Sequence, residues 1–181
     1  MFHDPATLLV LRLALALLFA TACVHKLRQF GEFRDTVADY ELVPPALVTP
    51  AALLVIAIEL FVVAALLVSA WVPAGSIVAA AVLSVYAAAI GINLARGRDS
   101  IDCGCSGAAL RQPISGWLVL RNLLLAGVAW WAGAAVAERA LGPWDYALTL
   151  VALCALLSLY LATEQLLANA PRSRRLSSAY D

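Results

Sequence analysis

Two cysteines one residue apart, Cys103 and Cys105, are the residues of this chain best suited to chemistry. They flank Gly104 in the short polar loop 96–107, which separates two long apolar runs. Thiols at this spacing can form a disulfide with each other or bind a soft metal such as Cu(I) or Zn(II). Because a C-x-C disulfide closes a small, strained ring, and strained disulfides are the labile ones, the pattern favours thiol–disulfide exchange.

The chain around this loop has the composition of a membrane protein. Of its 181 residues, 64% are hydrophobic and 13% are charged, and its mean hydropathy is +0.89. Soluble domains are about 45–50% apolar and about 25% charged. The formal net charge is zero, so the chain has no overall basic charge that would indicate a nucleic-acid partner. Its apolar composition indicates that its partner is the lipid bilayer.

Five apolar runs are long enough to cross a bilayer, which takes roughly 20 residues. They cover residues 5–24, 50–70, 72–95, 116–137 and 143–168. The sequence therefore predicts an all-α fold, a polytopic membrane helix bundle with five transmembrane helices in one domain, 1–168. Residues 169–181 contain Pro171 and several arginines but no apolar periodicity, so we expect a disordered basic cytoplasmic tail.

A sixth helix is predicted between the first two spans, in residues 26–45. Its apolar residues recur every three or four positions, with charged residues between them: Leu27, Phe30, Phe33, Val37 and Tyr40. This periodicity predicts an amphipathic helix in the membrane interface. The alternative is a helix that caps the end of the bundle.

Lysine and arginine residues are unevenly distributed between the two ends of the predicted spans. Arg139 alone falls on the side of the N-terminus. The other side receives Lys26, Arg28, Arg34, Arg96, Arg98, Arg111, Arg172, Arg174 and Arg175. Because cytoplasmic loops carry the excess of positive charge, we expect a multi-pass protein of the cell (inner) membrane. Its N-terminus would lie outside, and its C-terminus and Cys-Gly-Cys loop in the cytoplasm.

Several polar residues lie within or near the ends of the apolar runs, where contact with lipid would be costly: Arg12, Glu59, Asn93, Arg121 and Glu164. Glu59 and Arg121 both lie inward from the cytoplasmic side, so we expect them to pair. Arg121 follows the loop closely enough to favour a thiolate there, although a purely structural ion pair is the alternative. Arg98 and Asp102 are the charged groups of the loop that we expect to support the dithiol.

Cys23, near the inner end of the first span, could act as a third thiol that relays electrons, or could be a buried apolar residue. Cys154 lies mid-span and is expected to pack. Together with His25, Cys23 could complete a metal cluster with the loop cysteines. Structural zinc usually needs four ligands, so we expect no metal site. A metal-binding or assembly subunit without enzymatic activity is the alternative function.

The chain resembles the MauE family, the methylamine-utilisation membrane proteins related to DoxX. The resemblance rests on an Asn-Leu-x-Arg-Gly-Arg plus Asp-Cys-Gly-Cys combination and on weaker motifs before and after it. In chain order these are His25-Lys26-Leu27, Phe33, Tyr40-Glu41-Leu42-Val43-Pro44, Glu59, Asn93–Arg98, Ile101–Gly107 and Arg121-Asn122. The resemblance implies a polytopic helper in disulfide chemistry that works with a thioredoxin-fold partner. Its client would be a disulfide-rich exported protein, in methylamine metabolism the small subunit of methylamine dehydrogenase.

These observations together predict a membrane thiol–disulfide oxidoreductase. One sulfur of the dithiol attacks a partner disulfide and the other resolves the mixed disulfide, without a bound cofactor. Cys103 is the preferred attacking thiol because Arg98 and the polar loop precede it. Since the client is exported and the dithiol is predicted to be cytoplasmic, electrons would still have to cross the membrane.

Overall fold

The computed structural model describes residues 4–103, 113–134 and 139–177, without the side chains of 164 and 166–177. This part of the chain is built from six α-helices: α1 (Pro5–Arg28), α2 (Phe30–Asp39), α3 (Val48–Leu67), α4 (Val72–Ala95), α5 (Gly116–Ala132) and α6 (Pro143–Ser177). Short 3₁₀ turns precede α3 and α4. Within the described ranges no sheet forms, and an isolated β-bridge joins Asp102 to Pro113. The prediction of an all-helical fold is confirmed.

The helices pack as an antiparallel bundle around small and apolar side chains. The turn Ser69–Trp71 joins α3 to α4, which packs along α5, while α1 lies against α3, α5 and α6. The central cluster includes Leu15, Phe19, Leu66, Leu83 and Ala129. A Cβ atom on Gly75 would lie 2.7 Å from the Cβ of Ala65, so this glycine allows α3 and α4 to approach closely.

Polar contacts close the end of the bundle opposite the dithiol loop. The Asp4 carboxylate caps α1 by accepting hydrogen bonds from the backbone of Ala6 and Thr7. Arg139 forms ion pairs with Asp4 and Asp145 and, mainly through its hydrogen bond, lowers the pKa of Asp4. These contacts hold the start of α1 against the segment that leads into α6.

Four helical segments have the length and apolar character of membrane spans: Pro5–Arg28, Pro45–Leu67, Ser69–Ala95 and Pro143–Thr163. The apolar helix α5 has 17 residues, which at ~1.5 Å per residue is close to the lower limit for a span. The structure is therefore that of a multi-pass membrane bundle. The number of five spans stays a prediction.

Two helix ends differ from the predicted boundaries. Helix α1 continues past the predicted span to Arg28, so Lys26 belongs to the helix rather than to the loop. Helix α6 continues through Ser177, where a disordered tail was predicted from residue 169. Ala170, Leu176 and the three arginines of this segment favour a helix, and the helical backbone passes through Pro171 although proline is the least favourable residue in a helix interior. Residues 135–138, which contain the predicted end of the fourth span, lie outside the described residues.

Helix α2 confirms the helical periodicity predicted for residues 26–45, over the shorter range Phe30–Asp39. Four of its five predicted apolar positions are half-buried, whereas Leu27 belongs to α1 and is 53% exposed. The helix packs on α1 and α3, and the ring of Phe33 lies 5.0 Å from the Lys26 ammonium. It therefore covers one side of Lys26, and its position in the membrane interface stays a prediction.

Candidate functional site

Cys103 lies in a loop that is held at both ends by backbone pairing. Ile114 N–H donates a 2.9 Å hydrogen bond to the Ile101 carbonyl, next to the bridge between Asp102 and Pro113. Cys103 is 7% exposed and packs in a small apolar cluster with Ile90, Ile101, Ile114 and Leu118. The cluster fixes Cys103 where α4 ends and α5 begins. Gly104 and Cys105, the other predicted members of the site, lie outside the described residues.

The segment before the loop forms a helix-ending motif. Gly97 has a φ of +73°. Its N–H donates to the Leu94 carbonyl, and the N–H of Arg98 donates to the Asn93 carbonyl. This is the pattern of a Schellman C-cap, which requires a left-handed residue that is usually glycine. Part of the Asn-Leu-x-Arg-Gly-Arg motif thus serves to end α4.

Arg98 and Asn93 hold the turn that follows α2. The Arg98 guanidinium donates to the Asp39 carbonyl at 2.9 Å and forms an ion pair with Glu41 at 3.0 Å. The Asn93 amide is fully buried and donates to the Tyr40 carbonyl at 3.2 Å. Glu41 has a φ of +48°, a conformation that is uncommon for residues other than glycine. These contacts tie two of the family-like motifs together, and an effect of Arg98 on the thiols stays a prediction.

Asp102 lies between the capped end of α4 and Cys103. Its Oδ1 atom is buried and has no hydrogen-bond partner within the described residues. A buried acceptor without a partner is costly. The structure therefore places an under-satisfied carboxylate oxygen on the residue next to the thiol, and a direct effect on the dithiol stays a prediction.

A buried ion pair between Lys26 and Glu59 is the most prominent polar feature of the bundle. Their side chains are 4% and 1% exposed. The Tyr86 hydroxyl donates to Glu59 Oε1 at 2.6 Å and accepts from Lys26 Nζ at 3.1 Å. The prediction that Glu59 pairs with Arg121 is wrong, because the partner of Glu59 is Lys26. Because α1 extends to Arg28, the Lys26 side chain reaches Glu59 from within the helix, and Arg121 donates instead to the Tyr160 hydroxyl at 3.5 Å.

Sequence reasoning missed Lys26 because a lysine just after an apolar run usually reaches the aqueous side. Here its ammonium also lies 5.0 Å from the rings of Phe33 and Tyr86, within the range of a cation–π contact. The signal that could have found it is Glu59, a single acid in an otherwise apolar run, which requires a cationic partner inside the bundle.

A cavity of about 430 Å³ adjoins this ion pair, between α1, α4, α5 and α6. Polar residues from all of these helices and from α3 line it: His25, Lys26, Glu59, Tyr86, Asn122 and Tyr160. Arg121 lines it as well, so Glu59 and Arg121 share the cavity although they do not pair with each other. The rest of the lining is mainly leucine. The cavity is large enough for a small-molecule ligand.

The remaining intramembrane arginine, Arg12, has a structural role at the other end of the bundle. Its Nε–H donates to the Ala132 carbonyl at 2.9 Å, at the C-terminus of α5. A cation at this position is stabilised by the partial negative charge of the helix end.

The other cysteines are dispersed. Cys23 is 1% exposed in α1, one turn before Lys26, and Cys154 is exposed on α6. Across 4–103, 113–134 and the described side chains of α6, no three His, Cys, Asp or Glu residues lie close enough together to hold a metal ion. A cluster that includes Cys105 falls outside these residues, and the relay role of Cys23 stays a prediction.

Comparison with known proteins identifies the family. The sequence profile described as methylamine utilisation protein MauE matches residues 4–135. The methylamine utilization protein MauE of Paracoccus denitrificans is 42% identical over 126 residues, 70% of this chain and 68% of that protein. Its namesake from Methylophilus methylotrophus is 36% identical and covers 99% of this chain and 95% of its own length. No solved structure gives a significant match. The profile spans most of the described bundle and includes Lys26, Glu59 and Cys103, and we conclude that this chain belongs to the MauE family.

Proposed function

We propose that this protein is a membrane thiol–disulfide redox protein that uses Cys103 and Cys105 to exchange electrons with a thioredoxin-fold partner. The observation that carries the proposal is the position of Cys103. Backbone pairing between Ile101 and Ile114 fixes it at the end of a MauE-family membrane bundle. Because the loop is fixed in this way, the Cys103 thiol is held in a constant position for reaction with Cys105.

Burial of Cys103 favours Cys105 as the attacking thiol. Nucleophilic attack on a protein disulfide requires access to the partner's sulfur, and Cys103 is only 7% exposed. The proposed order is therefore the reverse of the preference drawn from Arg98 and the polar loop. Cys105 meets the partner and Cys103 resolves.

The exchange conserves electrons. The Cys105 thiolate attacks one sulfur of the partner disulfide, so that a mixed disulfide forms and the other partner sulfur leaves as a thiolate. The Cys103 thiolate then attacks Cys105, which forms the intramolecular disulfide and releases the second partner thiolate. In this direction two electrons pass from the dithiol to the partner. The reverse sequence oxidises the partner and leaves Cys103 and Cys105 reduced, and this is the direction that supports disulfide formation in a client.

The relatives give the proposed physiological setting. Curated relatives from three genera carry the name methylamine utilization protein MauE. We assign this chain to methylamine metabolism on that basis, as a helper that supports disulfide formation in an exported, disulfide-rich client. The thioredoxin-fold partner would carry the electrons between this membrane protein and the client.

Trapping of mixed disulfides tests the proposal. In cells that express the protein, Cys103→Ser removes the resolving thiol and should accumulate a mixed disulfide between Cys105 and a thioredoxin-fold protein. Cys105→Ser should trap much less. Cys154→Ser, on the exposed face of α6, is the matched control and should behave as the wild type. Non-reducing electrophoresis followed by mass spectrometry identifies the trapped partner.

Two results would contradict the redox function. One is the absence of mixed disulfides in both variants while Cys103 and Cys105 stay reduced under oxidising conditions. The other is a stoichiometric metal in the purified protein that disappears in the double Cys→Ala variant, which would favour a metal-binding subunit.

A further inference from the structure

The cavity beside Lys26 and Glu59 is polar at one end and apolar along the rest of its length. Its polar residues lie toward the end of the bundle that carries Cys103: Lys26 near the end of α1, Tyr86 in the second half of α4, and Asn122 near the start of α5. The rest of the lining consists mainly of leucines, among them Leu11, Leu18, Leu125, Leu153, Leu156 and Leu157. This division suits an amphiphile with one small polar head group.

The polar end holds a buried hydrogen-bond acceptor that no described residue uses. Glu59 Oε1 accepts from Lys26 and Tyr86, whereas Oε2 is buried without a hydrogen-bond partner among the described residues. A neutral head group with a hydroxyl could donate to Oε2. The cations Lys26 and Arg121 line the cavity together with this carboxylate, so its fixed charges are of both signs. A head group that carries a hydroxyl matches the acceptor Oε2.

The apolar part of the cavity opens toward the lipid. Leu156, Leu157 and Leu161 of α6 line it and are 43%, 38% and 50% exposed. Because α6 packs on α1 and these leucines lie within or beside the apolar length of α6, their exposed surface faces the acyl chains of a bilayer. A hydrophobic ligand could enter from the membrane without crossing water.

The polar end of the cavity lies next to the Cys103 cluster. Ile90 and Leu118 belong to that cluster, and Tyr86 and Asn122 line the cavity. Tyr86 and Ile90 are four residues apart on α4, and Leu118 and Asn122 are four residues apart on α5, which is a rise of about 6 Å along each helix. The same two helices thus carry the thiol cluster and the head-group end of the cavity, about one turn apart.

We propose that this cavity binds a membrane quinone, with its ring near Lys26, Glu59 and Tyr86 and its hydrophobic chain between α1 and α6. Its redox role rests on the proposed function, because a Cys103–Cys105 disulfide that repeatedly oxidises its partner is reduced to the dithiol each time and must be reoxidised. A quinone is a neutral, lipid-soluble acceptor of two electrons. Its carbonyl oxygen accepts from Lys26 Nζ, and a hydroxyl of the quinol donates to Glu59 Oε2.

The proposed step is balanced. Cys103 and Cys105 lose two electrons and two protons as their sulfur–sulfur bond forms. The quinone accepts both electrons and both protons, is reduced to the quinol, and leaves into the bilayer. The thioredoxin-fold partner supplies the electrons of the next cycle by reducing the Cys103–Cys105 disulfide. Electrons thereby leave the dithiol through the membrane phase.

Binding of decylubiquinone to the full-length protein in nanodiscs tests the site. We compare Leu157→Trp, which fills the apolar part of the cavity, with Leu159→Trp, a matched substitution on the same helix at a side chain that is 66% exposed. Leu157→Trp should weaken binding at least tenfold, and Leu159→Trp should leave it unchanged. Equal binding by both variants, or no binding by the wild type, would overturn the site.

Substitutions at the polar end test the head-group position. Glu59→Gln and Tyr86→Phe should each weaken the binding of decylubiquinol several-fold, because Glu59→Gln removes the carboxylate that accepts from the quinol hydroxyl and Tyr86→Phe removes a hydrogen bond that holds this carboxylate. Tyr86→Phe keeps the volume of the ring and leaves the ion pair between Lys26 and Glu59 in place, so it remains informative if Glu59→Gln fails to fold. If phospholipid occupies the purified protein and decylubiquinone does not displace it, the cavity is a lipid site and the proposal is wrong.

Rapid mixing of the reduced protein with decylubiquinone tests the electron transfer. The wild type should form one quinol per disulfide, and Cys103→Ser should form none while it still binds the quinone. A protein that traps its partner but neither binds nor reduces decylubiquinone would overturn the quinone site and leave the proposed function intact. A protein that reduces decylubiquinone but traps no partner would support the quinone site and overturn the partner proposal.

Discussion

At the scale of single residues, the main finding is that Lys26 and Glu59 meet inside the bundle. The pair is almost fully buried and is completed by Tyr86. Two charges removed from water gain little net stability even when they are well paired, but either one left alone in the interior is costly. A buried pair beside a cavity is therefore more informative about function than about stability.

Removal of one member of this pair should destabilise the protein strongly. Lys26→Met leaves Glu59 buried beside Tyr86 without its cation, and we expect a loss of about 3–5 kcal/mol in the free energy of unfolding. Denaturant titration in detergent micelles, followed by circular dichroism, measures this loss.

The double variant Lys26→Met, Glu59→Leu provides the control. It removes both charges, so we expect it to recover most of the stability lost in Lys26→Met. Additive losses in the double variant would mean that the two side chains do not depend on each other, contrary to the observed ion pair.

At the scale of secondary-structure elements, the region before the dithiol is organised by the end of α4. Gly97 ends the helix in a left-handed conformation, and Arg98 and Asn93 then hold the turn after α2. The sequence pattern identified these residues as important and placed them near the thiols. It could not show that they act on the turn at Asp39–Glu41, because that contact joins segments more than 50 residues apart.

Glycine-to-alanine substitutions at Gly91, within α4, and at Gly97, just after its end, should have opposite effects on stability. Gly97→Ala forces a Cβ into a φ of +73° and should cost about 1–2 kcal/mol. Gly91→Ala lies within the helix, where an added Cβ meets no atom within 4 Å among the described residues, and should add about 0.5–1 kcal/mol. Thermal unfolding of both variants measures the difference, and equal effects would contradict the C-cap.

At the scale of the whole molecule, the orientation in the membrane decides which compartment the dithiol serves. The described helices place Asp4 and Arg139 at one end of the bundle and the Cys103 loop with α2 at the other. The basic residues collect at the second end, so we predict that this end is cytoplasmic.

Labelling with a membrane-impermeant maleimide checks the orientation. Cys103 is buried and would escape labelling on either side, so exposed positions serve better as reporters. In a background without the native cysteines, Ala140→Cys should be modified in intact cells and Asp35→Cys only after permeabilisation. The reverse pattern would place the dithiol outside the cell.

The sequence by itself determined the membrane character, the helical class, the family and the residues worth examining, because these depend on composition, local periodicity and short motifs. Only the tertiary structure decided that Lys26 rather than Arg121 pairs with Glu59, that Arg98 holds a distant turn, and that Cys103 is buried. Each of these depends on how far one helix extends and which face it turns to its neighbours. Those choices are made by packing between segments far apart in the chain, and no local pattern records them.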